Sequence, residues 1–264
     1  MVIYGLRLRD LISAFLIHYT KLADRLPNAM EALEVVGLTP EIVSCWDGDR
    51  LLLTHFADKL NQSAWIERTK KIAPILLKNA GYTQDYCANK LSVIRSMNDM
   101  VNVLPAWMHP RLLSDGEISV ILKHYYALSR IAQGQDSYGL VAEDDIILKN
   151  NSKRLFYNSL EELKGVDGDY LDLAGGCGLK LLGFESPRNI SNIKPANTRT
   201  NACYVVSKHL AKLLVESFLP FVHPIDWHLL YLLNYHDVDK CYWSIEEVFI
   251  HGSESGRYSS WRSE

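Results

Sequence analysis

Three consecutive carboxylates, Glu143-Asp144-Asp145, follow the apolar run Tyr138-Gly139-Leu140-Val141-Ala142 and precede Ile146-Ile147-Leu148. An apolar run of that length is expected to be a buried strand, so the acids fall where the strand leaves the core. Adjacent anions in such a place repel one another and lose hydration unless a cation or hydrogen-bond donors compensate. A divalent metal carrying a diphosphate would do so. Such an ion needs only one or two protein carboxylates, because phosphate oxygens and water complete its octahedron. Side chains at i and i+2 of an extended segment point the same way, which pairs Glu143 with Asp145. The competing explanation is a solvated acidic loop tip.

The literal Asp-x-Asp pattern occurs at Asp47-Gly48-Asp49, Asp167-Gly168-Asp169 and Asp237-Val238-Asp239. The first two carry the Asp-Gly turn signal, and the third falls between an expected helix and strand. The context after a buried strand favours Glu143 to Asp145 over all three. A second chemical candidate is Asp226, in His223-Pro224-Ile225-Asp226-Trp227. Pro224 stiffens the turn and Trp227 offers a flat apolar face suited to a sugar ring. Asp226 could serve as a general base or cap a helix beginning at Trp227.

The elements that would position these residues alternate. Ser13 to Tyr19 reads as a buried strand, about Asp24 to Val36 as a helix stopped by Gly37, and Pro40 to Trp46 as a second strand. That order suggests a parallel βαβ unit. Ala64 to Ala80 has helical periodicity and ends at Gly81, and Gly116 to Ile131 is a stronger helix ended by Gly134. Further strands are expected at Tyr170 to Leu173, Ala202 to Val206 and Cys241 to Ile250. Helices are expected at Lys208 to Phe218 and His228 to Tyr235, with Pro220 to Trp227 as a turn. The pattern predicts an α/β fold whose ligands bind at strand carboxyl ends.

The chain has 264 residues, 48% hydrophobic and 22% charged, which suits a globular protein with a full core. A net charge of −3 gives no reason to expect a nucleic acid partner. The cysteines, Cys45, Cys87, Cys177, Cys203 and Cys241, are odd in number and widely spaced, as expected of buried thiols in a reducing compartment. Arg7, Arg9 and Asp10 interrupt any signal-peptide core, and no apolar stretch reaches the roughly 20 residues of a membrane span. A cytoplasmic protein is expected, with peripheral membrane contact left open.

Several of these segments together resemble glycosyltransferase family 25, the lipooligosaccharide and collagen glycosyltransferases. Leu16-Ile17-His18-Tyr19 followed by Asp24-Arg25 is similar to the family's first strand and downstream arginine. Trp46-Asp47-Gly48 resembles its Ala-x-Asp-Gly element. Gly116-Glu117-Ile118 with His124 resembles the helix that reads Gly-Glu-Ile, then Ser-His. Glu143-Asp144-Asp145-Ile146 resembles Glu-Asp-Asp-Val, and Tyr204-Val205-Val206-Ser207 with Pro224-Ile225-Asp226-Trp227 resembles Gly-Tyr-x-x-Ser and Pro-Val-Asp-Trp. Lys123 stands where the family has serine, Ser119-Val120 replaces a small-residue-cysteine pair, and residues 50 to 110 match poorly.

The resemblance implies a GT-A-like fold in one domain, 1–264. About 11–150 would be the nucleotide-sugar-binding half and about 151–264 the acceptor half. It implies a hexose donor, commonly UDP-linked, a saccharide or glycoconjugate acceptor such as a surface glycan, Mn2+ or Mg2+, and inversion at the transferred carbon. On this reading Asp145 and His251 hold the metal, and Asp226 is the base. Glu143 holds ribose or supports the metal through water, and Asp144 could do either. Ile17, His18 and Tyr19 meet the base of the nucleotide, Arg25 meets phosphate or an acid, and Asp47 meets uracil or ribose. Ser253, Ser255, Arg257, Ser259, Ser260 and Arg262 form a polar tail that could fold over the diphosphate, and Gly175-Gly176-Cys177-Gly178 would let backbone approach substrate. His124 is expected to be packed or to stand behind the site. Rival readings are another nucleotide-diphosphate enzyme, such as a nucleotidyltransferase, and a non-catalytic module on a degenerate scaffold. The first lacks a GxGxxG or P-loop fingerprint near the first strand.

Overall fold

The computed structural model describes residues 12–47, 62–79, 83–96, 99, 102, 104–105, 113–179, 181, 188–219, 221 and 223–259. The interrupted signal core at Arg7, Arg9 and Asp10, the turn at Gly48-Asp49, the stop at Gly81, and Ser260 and Arg262 lie outside the described residues, as do 50–61 and 106–112.

The chain is α/β. Strands β1 (Ile12–Ile17) and β2 (Glu41–Val43) flank helix α1 (Leu26–Val35), as the βαβ expectation required, and they pair in parallel. Helices α2 (Gln62–Asn79), α3 (Gln84–Leu91) and α4 (Asp115–Gln133) lead to β3 (Tyr138–Glu143), which pairs with β1, also in parallel. There follow β4 (Ile146–Leu148), α5 (Ser152–Gly165), β5 (Tyr170–Asp172), β6 (Ile190–Asn192), β7 (Cys203–Ser207), α6 (Lys208–Glu216), α7 (Ile225–Tyr235), β8 (Cys241–Ser244) and β9 (Phe249–His251). One seven-stranded sheet runs β2-β1-β3-β7-β5-β8-β6, and β4 and β9 form a separate antiparallel pair.

The central strands are apolar throughout because both faces of the sheet are covered. Phe15, Ile17, Val141, Tyr204 and Val206 face one core with α4, α6 and α7. Ala14, Leu16, Leu140, Ala142, Cys203 and Val205 face the other with α1 and α5. Helix α4 starts earlier than its periodicity suggests, because Ser114 and Glu117 close a capping box. It crosses β3 at Gly139, where a Cβ would stand 2.2 Å from the Ile131 side chain.

Two expectations need correction. The segment Cys241 to Ile250 is two strands in different sheets, because Ser244 ends its pairing and residues 245–248 redirect the chain to β4. The expected turn at Pro220 to Trp227 is shorter, since α7 already begins at Ile225. Pro224 is its N-cap position, so Asp226 sits inside the first turn and is not the cap. Cys45, Cys177, Cys203 and Cys241 are thiols as expected, but Cys45 and Cys177 are exposed where burial was predicted. Among the described residues no helix is long and apolar enough to cross a membrane.

Candidate functional site

The register of the parallel strands assembles the site. Ile17 is level with Glu143, and Val43 is level with Ile17. The residues that leave all three strands therefore emerge side by side: His18 and Tyr19, Cys45 to Asp47, and Asp144 with Asp145. A cavity of about 290 Å³ opens there, lined by Arg25, Glu143, Asp144, Asp145, Asp226 and His251 among others. A larger hollow of about 550 Å³ lies at the opposite end of β1, beside Ser13, Leu38 and Arg130, without this concentration of acids.

Each of the three carboxylates has its own partners. Glu143 Oε1 is 3.3 Å from His124 Nε2. Asp144 is buried, with Oδ2 2.8 Å from His18 Nδ1 and accepting the Tyr19 backbone N–H at 3.1 Å. Its Oδ1 lies 3.5 Å from Arg25 Nη1. Asp145 Oδ2 is 3.1 Å from His251 Nε2 and also accepts from the Ser253 hydroxyl and backbone N–H. Asp145 Oδ1 is buried and has no hydrogen-bond partner among the described residues. The chain turns directly after Glu143, so all three acids line the cavity rather than only the i and i+2 pair.

Burial opposes ionisation of Asp145, but the hydrogen bonds and charge of His251, with Ser253, outweigh it and hold its carboxyl below the usual range. Burial likewise opposes protonation of His251. The hydrogen bond and charge of Asp145, with Glu143 and Glu254 beyond, overcome that and raise its pKa above the ordinary value.

Arg25 is 3% exposed, so it is no surface residue. Its guanidinium also donates to the Ser259 carbonyl at 2.6 Å and sits 5.0 Å over the Tyr258 ring. The segment after β9 thus folds back across the site: Ser253 reaches Asp145, Tyr258 accepts from Asn28, and Glu254 accepts from the Gly178 backbone N–H. Gly252 permits this crossing, because a Cβ there would stand 2.5 Å from the Asp145 carbonyl and 2.4 Å from the Tyr258 ring. Arg257 and Ser255 belong to the same strap.

The sequence reading missed the role of Lys123. It is 1% exposed and lies beneath the exits of β1 and β2, with Nζ 2.6 Å from Asp47 Oδ1 and donating to the His18 carbonyl at 2.8 Å. Asp47 Oδ2 accepts from the backbone and hydroxyl of Thr20. Burial works against the charge of Asp47, yet Lys123 and Thr20 together hold its carboxyl below the usual range. A lysine within a mostly apolar helix face was the available signal. The other Asp-x-Asp segments are structural: Asp167 and Asp239 form exposed ion pairs with Lys240 and Lys194. A second groove of about 220 Å³ shares His251 and Glu254 with the cavity and reaches the Gly176 to Gly178 turn. Asp226 lines the cavity, and its carbonyl accepts from the Thr198 hydroxyl at 2.9 Å.

These residues fit a hard divalent cation. Asp145 Oδ1, buried and without a hydrogen-bond partner among the described residues, would be open to such an ion, and His251 stands beside it. Among the described residues no three or more His, Cys, Asp or Glu form a metal cage, and an ion shared with a diphosphate requires none.

Comparison with known proteins bears on the same segment. The sequence model of glycosyltransferase family 25, described as an LPS biosynthesis protein family, matches residues 81–178. The match covers α4, the three acids and the glycine-rich turn, and it begins inside the stretch expected to resemble the family poorly. No curated protein matches the chain. Among solved structures, S. aureus TarS 1-349 is similar over 92% of this chain and 60% of that chain, with 10% identity and a TM-score of 0.40. The chain thus spans about 60% of that chain's length. The family match supports a glycosyltransferase.

Two outcomes are expected of these ion pairs. Lys123→Met leaves the buried Asp47 charge with Thr20 but without its cation, and should lower unfolding free energy by roughly 3 kcal/mol in denaturant titrations, with much of the loss recovered when Asp47→Asn is added. The Asp145–His251 pair has a depressed acid and a raised base. In metal-free protein its stabilisation should therefore be full between the two ordinary pKa values, lost as pH falls through the lowered Asp145 value, and lost again as pH rises through the raised His251 value. Comparing thermal midpoints of wild type and His251→Ala across pH 3 to 9 in otherwise equal buffers checks both limbs.

Proposed function

We propose that the protein is a metal-dependent, inverting glycosyltransferase that moves a hexose from a UDP-linked donor to a saccharide or glycoconjugate acceptor of surface-glycan or lipopolysaccharide type. The observation that carries this reading is Asp145: buried, ionised, with one oxygen held by His251 and Ser253 and the other without a hydrogen-bond partner among the described residues. Its presence inside the segment matched by glycosyltransferase family 25 supports the same reading.

Transfer from a nucleotide sugar resembles glycoside hydrolysis in its oxocarbenium-like transition state, while negative charge grows on the departing diphosphate. Mn2+ or Mg2+ held by Asp145 and His251 would supply Lewis-acid stabilisation of that charge. His18 and Tyr19 leave β1 beside Asp144, where the nucleotide would be received at the strand ends, with Glu143 as the acceptor for ribose hydroxyls; the Ile17 side chain is packed in the core and is not assigned to the nucleotide. Arg25 is engaged with Asp144 and the strap, so its part is to hold Asp144 and the closing segment. Asp47 is likewise committed to Lys123 and Thr20, which makes it a support of the nucleotide side. Asp226 takes the proton from the acceptor hydroxyl, with Trp227 beside it on the same helix turn.

UDP should raise the thermal midpoint only when Mn2+ or Mg2+ is present, and Asp145→Ala should abolish that increment. Absence of any metal-dependent nucleotide binding in wild type would refute the proposal, and hydrolysis or nucleotidyl transfer without sugar transfer would favour the rival enzyme class. Asp226→Asn should leave UDP binding within about twofold and reduce sugar transfer at least about 100-fold. A near-normal rate for that variant would remove Asp226 from the base role.

A further inference from the structure

Behind Glu143 lies a buried polar column. Tyr204, on β7, packs near-parallel to both Tyr170 and His124, with ring centroids 5.4 Å and 5.8 Å away. Its hydroxyl lies 3.0 Å from His124 Nδ1, while His124 Nε2 lies 3.3 Å from Glu143 Oε1. At the foot of the column, the Tyr170 hydroxyl donates to Asn201 Oδ1 at 2.7 Å. Tyr170, Tyr204, His124 and Asn201 are all buried, and Glu143 alone reaches the cavity.

The two His124 contacts fix its proton. An ionised carboxylate can only accept, so Nε2 must carry the hydrogen that points at Glu143. In a neutral imidazole Nδ1 is then the acceptor, and Tyr204 supplies the hydroxyl proton. Tyr204 is well suited to that task, because burial and then the Glu143 charge push its pKa well above the ordinary value and keep it a donor. A hydroxyl that sets the tautomer of an imidazole, which in turn orients a carboxylate, is a common way of aiming a polar side chain.

We propose that His124 is a positioning residue: locked by Tyr204 in its Nε2–H tautomer, it holds the Glu143 carboxylate in the orientation that receives the donor nucleotide. The ligand named here rests on the glycosyltransferase reading, whereas the tautomer and its hold on Glu143 do not. The column reaches Glu143 through α4 and β7, whereas Asp144 is held by His18, the Tyr19 amide and Arg25.

The test has two parts. In protein labelled with 15N-histidine, His124 should show a protonated Nε2 and an unprotonated Nδ1. The Nε2 resonance should shift in Glu143→Gln, and the Nδ1 resonance should shift in Tyr204→Phe. An Nδ1-protonated His124 in wild type would overturn the proposal. UDP affinity is then measured by calorimetry with Mn2+. His124→Phe keeps a ring against Tyr204 but has no donor, and should weaken UDP binding about tenfold. His124→Gln restores an N–H donor and should recover affinity to within about threefold of wild type. In the Glu143→Gln background, His124→Phe should change affinity by less than about twofold, since the two act as one unit. Unchanged binding in His124→Phe, or losses that simply multiply in the double variant, would overturn it. If wild type binds no UDP with Mn2+, the donor reading fails, and the tautomer measurement alone decides whether His124 positions Glu143.

Discussion

Mutual repulsion among Glu143, Asp144 and Asp145 is the constraint to which the surrounding residues answer. Two unit charges about 5 Å apart repel by on the order of 3 kcal/mol at an effective dielectric near 20, and burial adds a desolvation cost. The protein meets this acid by acid. His124 faces Glu143; His18, Arg25 and the Tyr19 amide face Asp144; His251 and Ser253 face Asp145. Each set comes from a different part of the chain, and in the case of His18 the partner lies 126 residues away. The parallel register of β1 with β3 and the return of β9 to β4 are what allow three separate answers at one turn.

Compensation is unequal, and the inequality has chemical meaning. Asp144 has cationic or donor groups on both oxygens and behaves as a structural anchor between β1 and α1. Among the described residues, Asp145 is satisfied on one oxygen only. A buried carboxylate oxygen without a partner is costly in isolation, so it marks a position where a further positive group lowers the energy of the whole arrangement. The strap from His251 to Ser259 encloses that position: it takes hold of Asp145, Arg25, Asn28 and the Gly178 turn together. The Lys123–Asp47 pair plays the corresponding part beneath the strand exits, where a lysine head group joins β1 to the end of β2 through the His18 carbonyl.

Much of the architecture was legible along the chain. The β1-α1-β2 unit, the long helix before the acids and the strand carrying them all appear where apolar runs and glycine stops indicate. What was less legible follows from tertiary pairing. Residues 241–251 are apolar enough to be one strand, and only their two different partners divide them. Asp226 looked like a cap because the helix was expected to begin at Trp227, but the helix begins at Ile225 with Pro224 at the N-cap position, which moves Asp226 inward. Asp47 looked like a turn residue, since nothing local reveals that Lys123 will bury it, and Arg25 was expected to meet phosphate or an acid without the sequence showing that the acid is Asp144.

By itself, the sequence determined the alternation of strands and helices, the placement of an acidic turn after a buried strand, and the resemblance carried by the segments around it. Those properties depend on local periodicity and residue type. The tertiary structure alone decided which carboxylate is tied down and which keeps an oxygen without a partner among the described residues. That choice depends on strand register and on a C-terminal strap more than 100 residues from the acids, because a carboxylate's environment is set by whatever the fold brings within a few ångströms of it.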